Sequence, residues 1–149
     1  MFGEENNFII RVAENRDCAS ISNLCGQLGY PSTEDEIEYR LNKINLDENH
    51  VIYVAESSQN NVIGWIHAYI CQILESDFKV ELGGLIVDEQ YRRKGVGKHL
   101  LDSVEKWASD KGCTKISVRS GSTRKEAHVF YEKVGYKKVK EQYTFRKEL

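Results

Sequence analysis

The chain has 149 residues, 40% of them hydrophobic and 30% charged, with a formal net charge of −2. That is about one domain's worth of sequence, and a chain this long buries roughly 70% of the surface it exposes when unfolded. Ordinary apolar content and a small net charge exclude a disordered chain, a single Pro excludes collagen-like and proline-rich chains, and no apolar run reaches the ~18 residues of a membrane span. The N-terminal MFGEENNF is acidic and has no apolar core, which predicts no secretory signal and a cytoplasmic location. Cys18, Cys25, Cys71 and Cys113 form no CxxC pair and have no His at metal-ligand spacing, so reduced, packed thiols and no metal are expected.

In chain order, residues 8–13 alternate weakly and predict a first strand. A helix follows, with Ile21, Leu24, Cys25 and Leu28 at helical spacing and Gly29 as its stop. Thr33-Glu34-Asp35-Glu36 is a capping box, and the helix it opens buries Ile37, Leu41 and Ile44. Residues 51–56 and 62–73 are β-rich runs joined by Ser57-Ser58-Gln59-Asn60-Asn61, a hairpin signal. Residues 78–87 predict the next strand. The period then changes: Gly97, Leu100, Leu101, Val104, Trp107 and Ala108 lie on one helical face that Gly112 ends. Residues 115–119 predict a strand. Thr123-Arg124-Lys125-Glu126 predicts a second capping box, opening a helix with Ala127, Phe130, Tyr131 and Val134 inward and Gly135 as its cap. Residues 136–149 alternate at Tyr143 and Phe145 and predict two closing strands. Hairpin strands followed by β-α-β imply an α/β (α+β) fold, a mixed central sheet with helices on both faces. No linker or repeat divides 1–149, so a single domain is expected.

Charge is uneven along the chain. Residues 1–80 carry 5 Lys/Arg against 13 Asp/Glu, and residues 81–149 carry 16 against 10. The first half suits a cationic partner and the second an anionic one. The cations peak in Arg92-Arg93-Lys94-Gly95-Val96-Gly97-Lys98, between the apolar strand Leu82-Gly83-Gly84-Leu85-Ile86-Val87 and a long helix. Free N–H groups and the positive end of a helix dipole meet there, which makes an anion site. A dinucleotide fingerprint would need Gly at 100, where Leu100 stands. A Walker loop would need Gly at 92 and Ser or Thr at 99, where Arg92 and His99 stand. The loop therefore fits a pyrophosphate in a different frame.

Arg92-Arg93-Lys94-Gly95-Val96-Gly97 resembles the (Q/R)-x-x-G-x-(G/A) signature of the GNAT superfamily of acetyl-CoA-dependent N-acetyltransferases. Ala127-x-x-Phe130-Tyr131-x-x-x-Gly135-Tyr136 is a second match, and the resemblance covers the chain in element order. It implies a single GNAT-like domain over 1–149, with two parallel strands, 78–87 and 115–119, splaying apart. The pantetheine arm of coenzyme A would pair with the first of them, and Arg92, Arg93, Lys94, Gly95, Val96, Gly97 and Lys98 would hold its pyrophosphate. Backbone N–H groups near Leu85, Ile86 and Val87 would stabilise the charge developing on the thioester oxygen. Arg124 would reach the adenosine phosphates.

Acetyl transfer to an amine needs a base, because an amine with a pKa near ~10 is mostly protonated at neutral pH. Glu81 is the candidate, a lone carboxylate in an apolar strand. Alternation places it on the face of Gly83, Leu85 and Val87, and its eleven-residue spacing before Arg92 resembles that of the family's catalytic glutamate. The alternatives are a sheet-end carboxylate meeting solvent or Lys79, and a water relay as base. Gly83 and Gly84 mark a bulge, a close ligand approach, or tight helix packing. His67 and Tyr69 share a face with Trp65 and could line the acceptor site, although a lone strand His is more often a core or rim residue. His50, His99 and His128 read as surface or packing residues. Tyr131 matches the family's usual tyrosine and would protonate the leaving thiolate; the alternative is a core aromatic.

The expected activity is acetyl transfer to a primary amine by direct attack in a ternary complex. The acceptor would be a small cation such as a polyamine or aminoglycoside, drawn by Glu34, Asp35, Glu36 and Glu38, or else a peptide or protein amine. The alternative is a non-catalytic acyl-CoA binding or sensing module on the same fold. Acetyl-CoA and an amine are the expected partners, without nucleic acid, membrane or metal, and a homodimer is compatible with the sequence.

Overall fold

The computed structural model describes residues 7–149. Residues 1–6, most of the acidic stretch used to predict the absence of an export signal, lie outside the described residues. The chain forms two compact units, Met1–Val118 and Arg119–Leu149.

The first unit holds a five-stranded mixed sheet. Its strands are β1 (Phe8–Val12), β2 (His50–Ser57), β3 (Val62–Cys71), β4 (Lys79–Val87) and β5 (Ile116–Val118). They lie side by side in chain order; β1 to β4 are antiparallel, and β5 runs parallel to β4. Three helices complete the unit: α1 (Cys18–Leu28), α2 (Glu34–Asn45) and α3 (Val96–Asp110). The expected mixed sheet with helices on both faces is present.

Strand alternation sorts the core between those faces. Ile52 and Val54 of β2 pack with Ile21 and Cys25 of α1 and with Ile37 and Leu41 of α2. Gly64 of β3 points the other way, where a Cβ would stand 3.3 Å from Leu100 of α3. Leu100, Leu101 and Val104 on that helix are 0–1% exposed. Complete burial of one such side chain contributes about 1.5–3 kcal/mol.

Local signals account for most element ends. Thr33 accepts from the Glu36 N–H at 3.1 Å and Glu36 accepts from the Thr33 N–H at 3.0 Å, the reciprocal box the sequence predicts. Gly29 and Gly112 stop α1 and α3 at left-handed φ of 95° and 83°. Arg11 forks onto the buried Asp17 with two 2.8 Å hydrogen bonds and reaches Glu56 at 3.3 Å, tying β1 and β2 to the turn before α1. All four cysteines are free thiols, and burial pushes those of Cys18 and Cys25 up.

The second unit contains α4 (Lys125–Lys133), which Gly135 ends at φ 99°. Two expectations fail here. The Thr123 capping box does not form: α4 starts at Lys125, its N-cap is Arg124, and no side chain caps it. Lys125 N–H instead donates to the Thr123 carbonyl at 3.0 Å, a turn that uses backbone rather than hydroxyl. The two closing strands are also absent among the described residues, and Tyr143 and Phe145 are 91% and 92% exposed. A strand draws its hydrogen bonds from a neighbouring strand, so alternation without a paired partner produces no ladder.

Candidate active site

The site is built around an interruption in β4. Opposite β3, Tyr69 faces Glu81, Ala68 faces Leu82, and His67 faces Gly84; Gly83 is the extra residue. This bulge reverses the alternation that follows it. Directly opposed residues of an antiparallel pair share a face. Glu81 therefore lies with Tyr69, His67, Gly84 and Trp65, while Leu85 and Val87 lie with Ile66 and Gly64 on the α3 side. The expectation that Glu81 shares a face with Leu85 and Val87 is thus overturned by a single inserted residue. The bulge also explains the glycine pair. A Cβ at Gly83 would stand 2.7 Å from His67 Nδ1, and one at Gly84 would stand 2.9 Å from the Trp65 ring.

The same position opens the sheet. The ladder to β5 covers Val80, Glu81 and Leu82 only, opposite Ile116, Ser117 and Val118. Beyond Leu82, β4 continues to Val87 with β3 alone, and this stretch holds Leu85, Ile86 and Val87.

On the face of β4 turned away from α3, Glu81 is 3% exposed, with Oε2 3.8 Å from Lys79 Nζ. The alternative of a carboxylate near Lys79 is thus realised geometrically, and it coexists with an inward-facing acid. His67 Nε2 lies 3.0 Å from His50 Nδ1. Burial, and then the proximity of His50, hold the His67 ring down to about 4. The ring is therefore neutral at neutral pH.

At the C-terminal end of β4 the chain turns tightly into α3. Asp88 accepts from the Gln90 N–H at 2.9 Å and starts a short 3-10 turn, Glu89–Tyr91. Arg92 Nε donates to the Val87 carbonyl at 3.0 Å, which pins the loop to the strand. Arg93 and Gly95 both have left-handed φ, 65° and 84°. Gly95 makes that conformation without strain, whereas at Arg93 it is uncommon. Gly95 is the N-cap of α3, with no side-chain cap and no acid in the first turn. Val96, 2% exposed, anchors the helix start. The orphan N–H groups there face a loop of exposed Arg92, Arg93 and Lys94. Lys98 is turned along the helix, 3.0 Å from Asp102, an i,i+4 pair that its sequence neighbours did not suggest.

In the second unit, Arg124 sits at the start of α4, in a hollow lined also by Thr123, Lys125, Glu126 and Ala127. The Tyr131 ring packs edge-on against Phe130 at 5.3 Å and beside Tyr136 at 5.9 Å. Burial raises its phenol above the ordinary range, so it stays protonated.

The first unit thus brings together Glu81, the stretch Leu85 to Val87 and the loop from Arg92 to Lys98 along one strand and its exit. Tyr131 and Arg124 belong to the second unit. Sequence reasoning missed the pairing of His50 with His67, which lie seventeen residues apart on different strands. Equal counting back from the hairpin turn would set His50 opposite Ala68, on the other face; the register shift at Ala55 and Glu56 moves it opposite Tyr69, so the sequence carries no signal for the pair. Among the described residues, no group of three His, Cys, Asp or Glu is placed to hold a metal ion. No helix among them is long and apolar enough to cross a membrane.

A model of the acetyltransferase (GNAT) family matches residues 13–136. The chain is 42% identical over 67 residues, 44% of its length, to a Bacillus subtilis (strain 168) protein named uncharacterized N-acetyltransferase YhdJ, and the match spans 46% of that relative. It is 27% identical over 143 residues to aminoglycoside N(6')-acetyltransferase type 1 of Stenotrophomonas maltophilia, covering 92% of this chain and 91% of the relative. The fold is similar, at a TM-score of 0.84, to AAC(6')-Iy solved with the bisubstrate analog CoA-S-monomethyl-acetylneamine, at 20% identity over 95% of this chain and 99% of that one.

Proposed function

The chain belongs to the GNAT acetyltransferase family, and we propose that residues 1–149 act as one domain transferring the acetyl group of acetyl-CoA to a primary amine by direct attack in a ternary complex. The observation that carries this reading is the opening of β4. One strand leaves its parallel neighbour at Leu82 and runs on into a cationic loop and an uncapped helix N-terminus. The residues fit the coenzyme's chemistry: free helix N–H groups, a left-handed Gly95 and exposed cations suit a pyrophosphate. Arg92, Arg93, Lys94, Gly95, Val96, Gly97 and Lys98 would hold it. When bound, acetyl-CoA supplies an activated acetyl group as a thioester.

Leu85, Ile86 and Val87 would offer backbone N–H groups to the thioester oxygen as charge develops on it. Glu81 is assigned to the acceptor's ammonium group, holding its charge and, in the simplest scheme, taking its proton. Tyr131 is assigned as the acid for the leaving thiolate, on its residue type and its match to the family motif. Arg124 is assigned to the adenosine phosphates on residue type.

For the acceptor we favour a small cationic amine. The relatives named aminoglycoside N(6')-acetyltransferases support this class, as does the acidic first half of the chain. Within α2, Glu36 is already used, by Thr33 and by Arg40 at 3.2 Å, which leaves Glu34, Asp35 and Glu38 for a cation. The test is thiol release from acetyl-CoA with polyamines, aminoglycosides, amino acids and peptides. Release with a cationic amine is expected. Tight acetyl-CoA binding with no release for any amine would turn the reading to a non-catalytic acyl-CoA module.

A further inference from the structure

Three side chains that carry no role in the scheme above line up on the β4 face that holds Glu81. His50 Nδ1 and His67 Nε2 lie 3.0 Å apart. The other His50 nitrogen, Nε2, lies 3.7 Å from an Asp47 carboxylate oxygen. The other His67 nitrogen, Nδ1, lies against the bulge, where a Cβ on residue 83 would come within 2.7 Å of it. The chain of polar atoms therefore starts at the opening of β4 and ends at Asp47, whose side chain is 50% exposed. The rings are held in place. His50 stacks on His67 with centroids 5.2 Å apart and on Tyr69 at 5.3 Å, the planes within about 20° in both pairs.

We propose that His67, His50 and Asp47 form a proton path that carries the acceptor amine's proton from the β4 bulge to solvent. The inference rests on the acetyl-transfer reading, which brings the amine to the bulge. The ammonium gives one proton to His67 Nδ1, His67 passes its Nε2 proton to His50 Nδ1, and His50 passes its own Nε2 proton towards the Asp47 carboxylate and water. The neutral amine then forms the C–N bond as the C–S bond breaks, and its second proton goes to the departing sulfur. One proton reaches solvent, one reaches the thiol, and nothing is oxidised or reduced. The route starts with both rings in the Nε2–H form and leaves them Nδ1–H, so each ring exchanges its Nδ1 proton for one at Nε2 through water before the next turnover. Burial of His67 keeps its ring neutral, so Nδ1 accepts without trapping the proton. The titratable groups placed against the pair are Asp47 and Tyr69, with Glu81 opposite Tyr69 in the ladder. Glu81, 3% exposed and beside Lys79, then serves to hold the ammonium rather than to conduct its proton away.

Two measurements test the path. Nitrogen-15 NMR of the imidazoles in the unliganded wild-type protein should show Nε2–H forms for His67 and His50, with the His67 signals moving in His50→Gln. An Nδ1–H form of His67 overturns the path. Steady-state kinetics with acetyl-CoA and either neamine or spermidine should show kcat falling roughly 10–10²-fold in His67→Gln and in His50→Gln, with little change in the amine KM. The loss should shrink as pH rises and the amine becomes neutral. His50→Gln alters the more exposed ring and keeps the test decisive if His67→Gln fails to fold. An active wild type with unchanged kcat in the variants overturns the path alone. A wild type inactive with every amine of the screen overturns the acetyl-transfer reading and the path with it.

Discussion

The two faces of the sheet use the same strands for opposite ends. Towards α3, β3 presents Gly64, Ile66 and Ala68, and the helix meets them with Leu100, Leu101 and Val104, all close to fully buried. Towards the other face the same strand presents Trp65, His67 and Tyr69, all half-buried, with Glu81 opposite Tyr69. One face is closed by apolar packing and carries stability. The other is packed by α1 and α2 through Ile52, Val54 and Trp65, and beside that core it holds the polar side chains proposed to act on the amine. The residue that divides the roles along β4 is Gly83, because the bulge turns Glu81 to the polar face while Leu85 and Val87 remain on the packed one.

Substitutions on the two faces should separate stability from turnover. Leu100→Ala on the closed face should cost about 2–5 kcal/mol in denaturant unfolding, from lost transfer energy and the cavity left behind. Thiol release per folded molecule should stay near wild type; a large loss there would mean that the closed face also shapes the site.

Glu81→Gln on the polar face should do the reverse. We expect a loss of roughly 10–10²-fold in kcat/KM for a cationic amine, about 1.4–2.7 kcal/mol, with a melting temperature near wild type and unchanged acetyl-CoA affinity. A loss in KM marks Glu81 as the ammonium's anchor, and a loss in kcat marks it as the base.

Acid should weaken the fold through the polar face. Burial holds the folded His67 ring to about 4, below the ordinary 6.5 that the unfolded chain recovers. Between those values the unfolded state binds more protons, so stability is full above pH ~6.5 and falls as pH drops towards ~4. The loss attributable to His67 is of order 3 kcal/mol. His67→Gln should flatten this part of the melting temperature's pH profile. An identical profile in the variant would place the acid sensitivity elsewhere.

Helix starts show a similar contrast. α2 satisfies its own N-terminal donors with Thr33 and Glu36, whereas α3 begins at Gly95 with no side-chain cap. Gly97→Glu should weaken acetyl-CoA binding at least tenfold, about 1.4 kcal/mol, by placing a negative charge among donors that would otherwise meet phosphate. Calorimetric titration giving an unchanged Kd would remove the pyrophosphate from this loop.

The elements legible in the sequence are those whose cause is local. Thr33 and Glu36 are three residues apart and cap α2 from within; Gly29, Gly112 and Gly135 stop their helices because each alone adopts a left-handed φ. The loop from Arg92 to Lys98 is legible for the same reason, since a strand exit, two glycines and a run of cations sit side by side. Where a local signal needed a distant partner, it failed. Tyr143 with Phe145 had the period of a strand without a neighbour to pair with, whereas Thr123 failed locally, lying one residue outside the helix's N-cap.

The polar face was decided by tertiary structure. Sequence marked Gly83 and Gly84 as unusual, yet only pairing with β3 shows that Gly83 is the inserted residue and that Glu81 turns to the side of His67. The ladder between β2 and β3 sets His50 beside Tyr69 and Ile52 beside His67, which brings the two imidazoles within 3.0 Å. Strand register depends on hydrogen bonds between residues far apart in the chain, and a shift of one residue moves every side chain to the other face. Motif resemblance therefore pointed to the family, and local spacing to most helix ends and to the cationic glycine loop. Which residues meet across the sheet was fixed only when the strands paired.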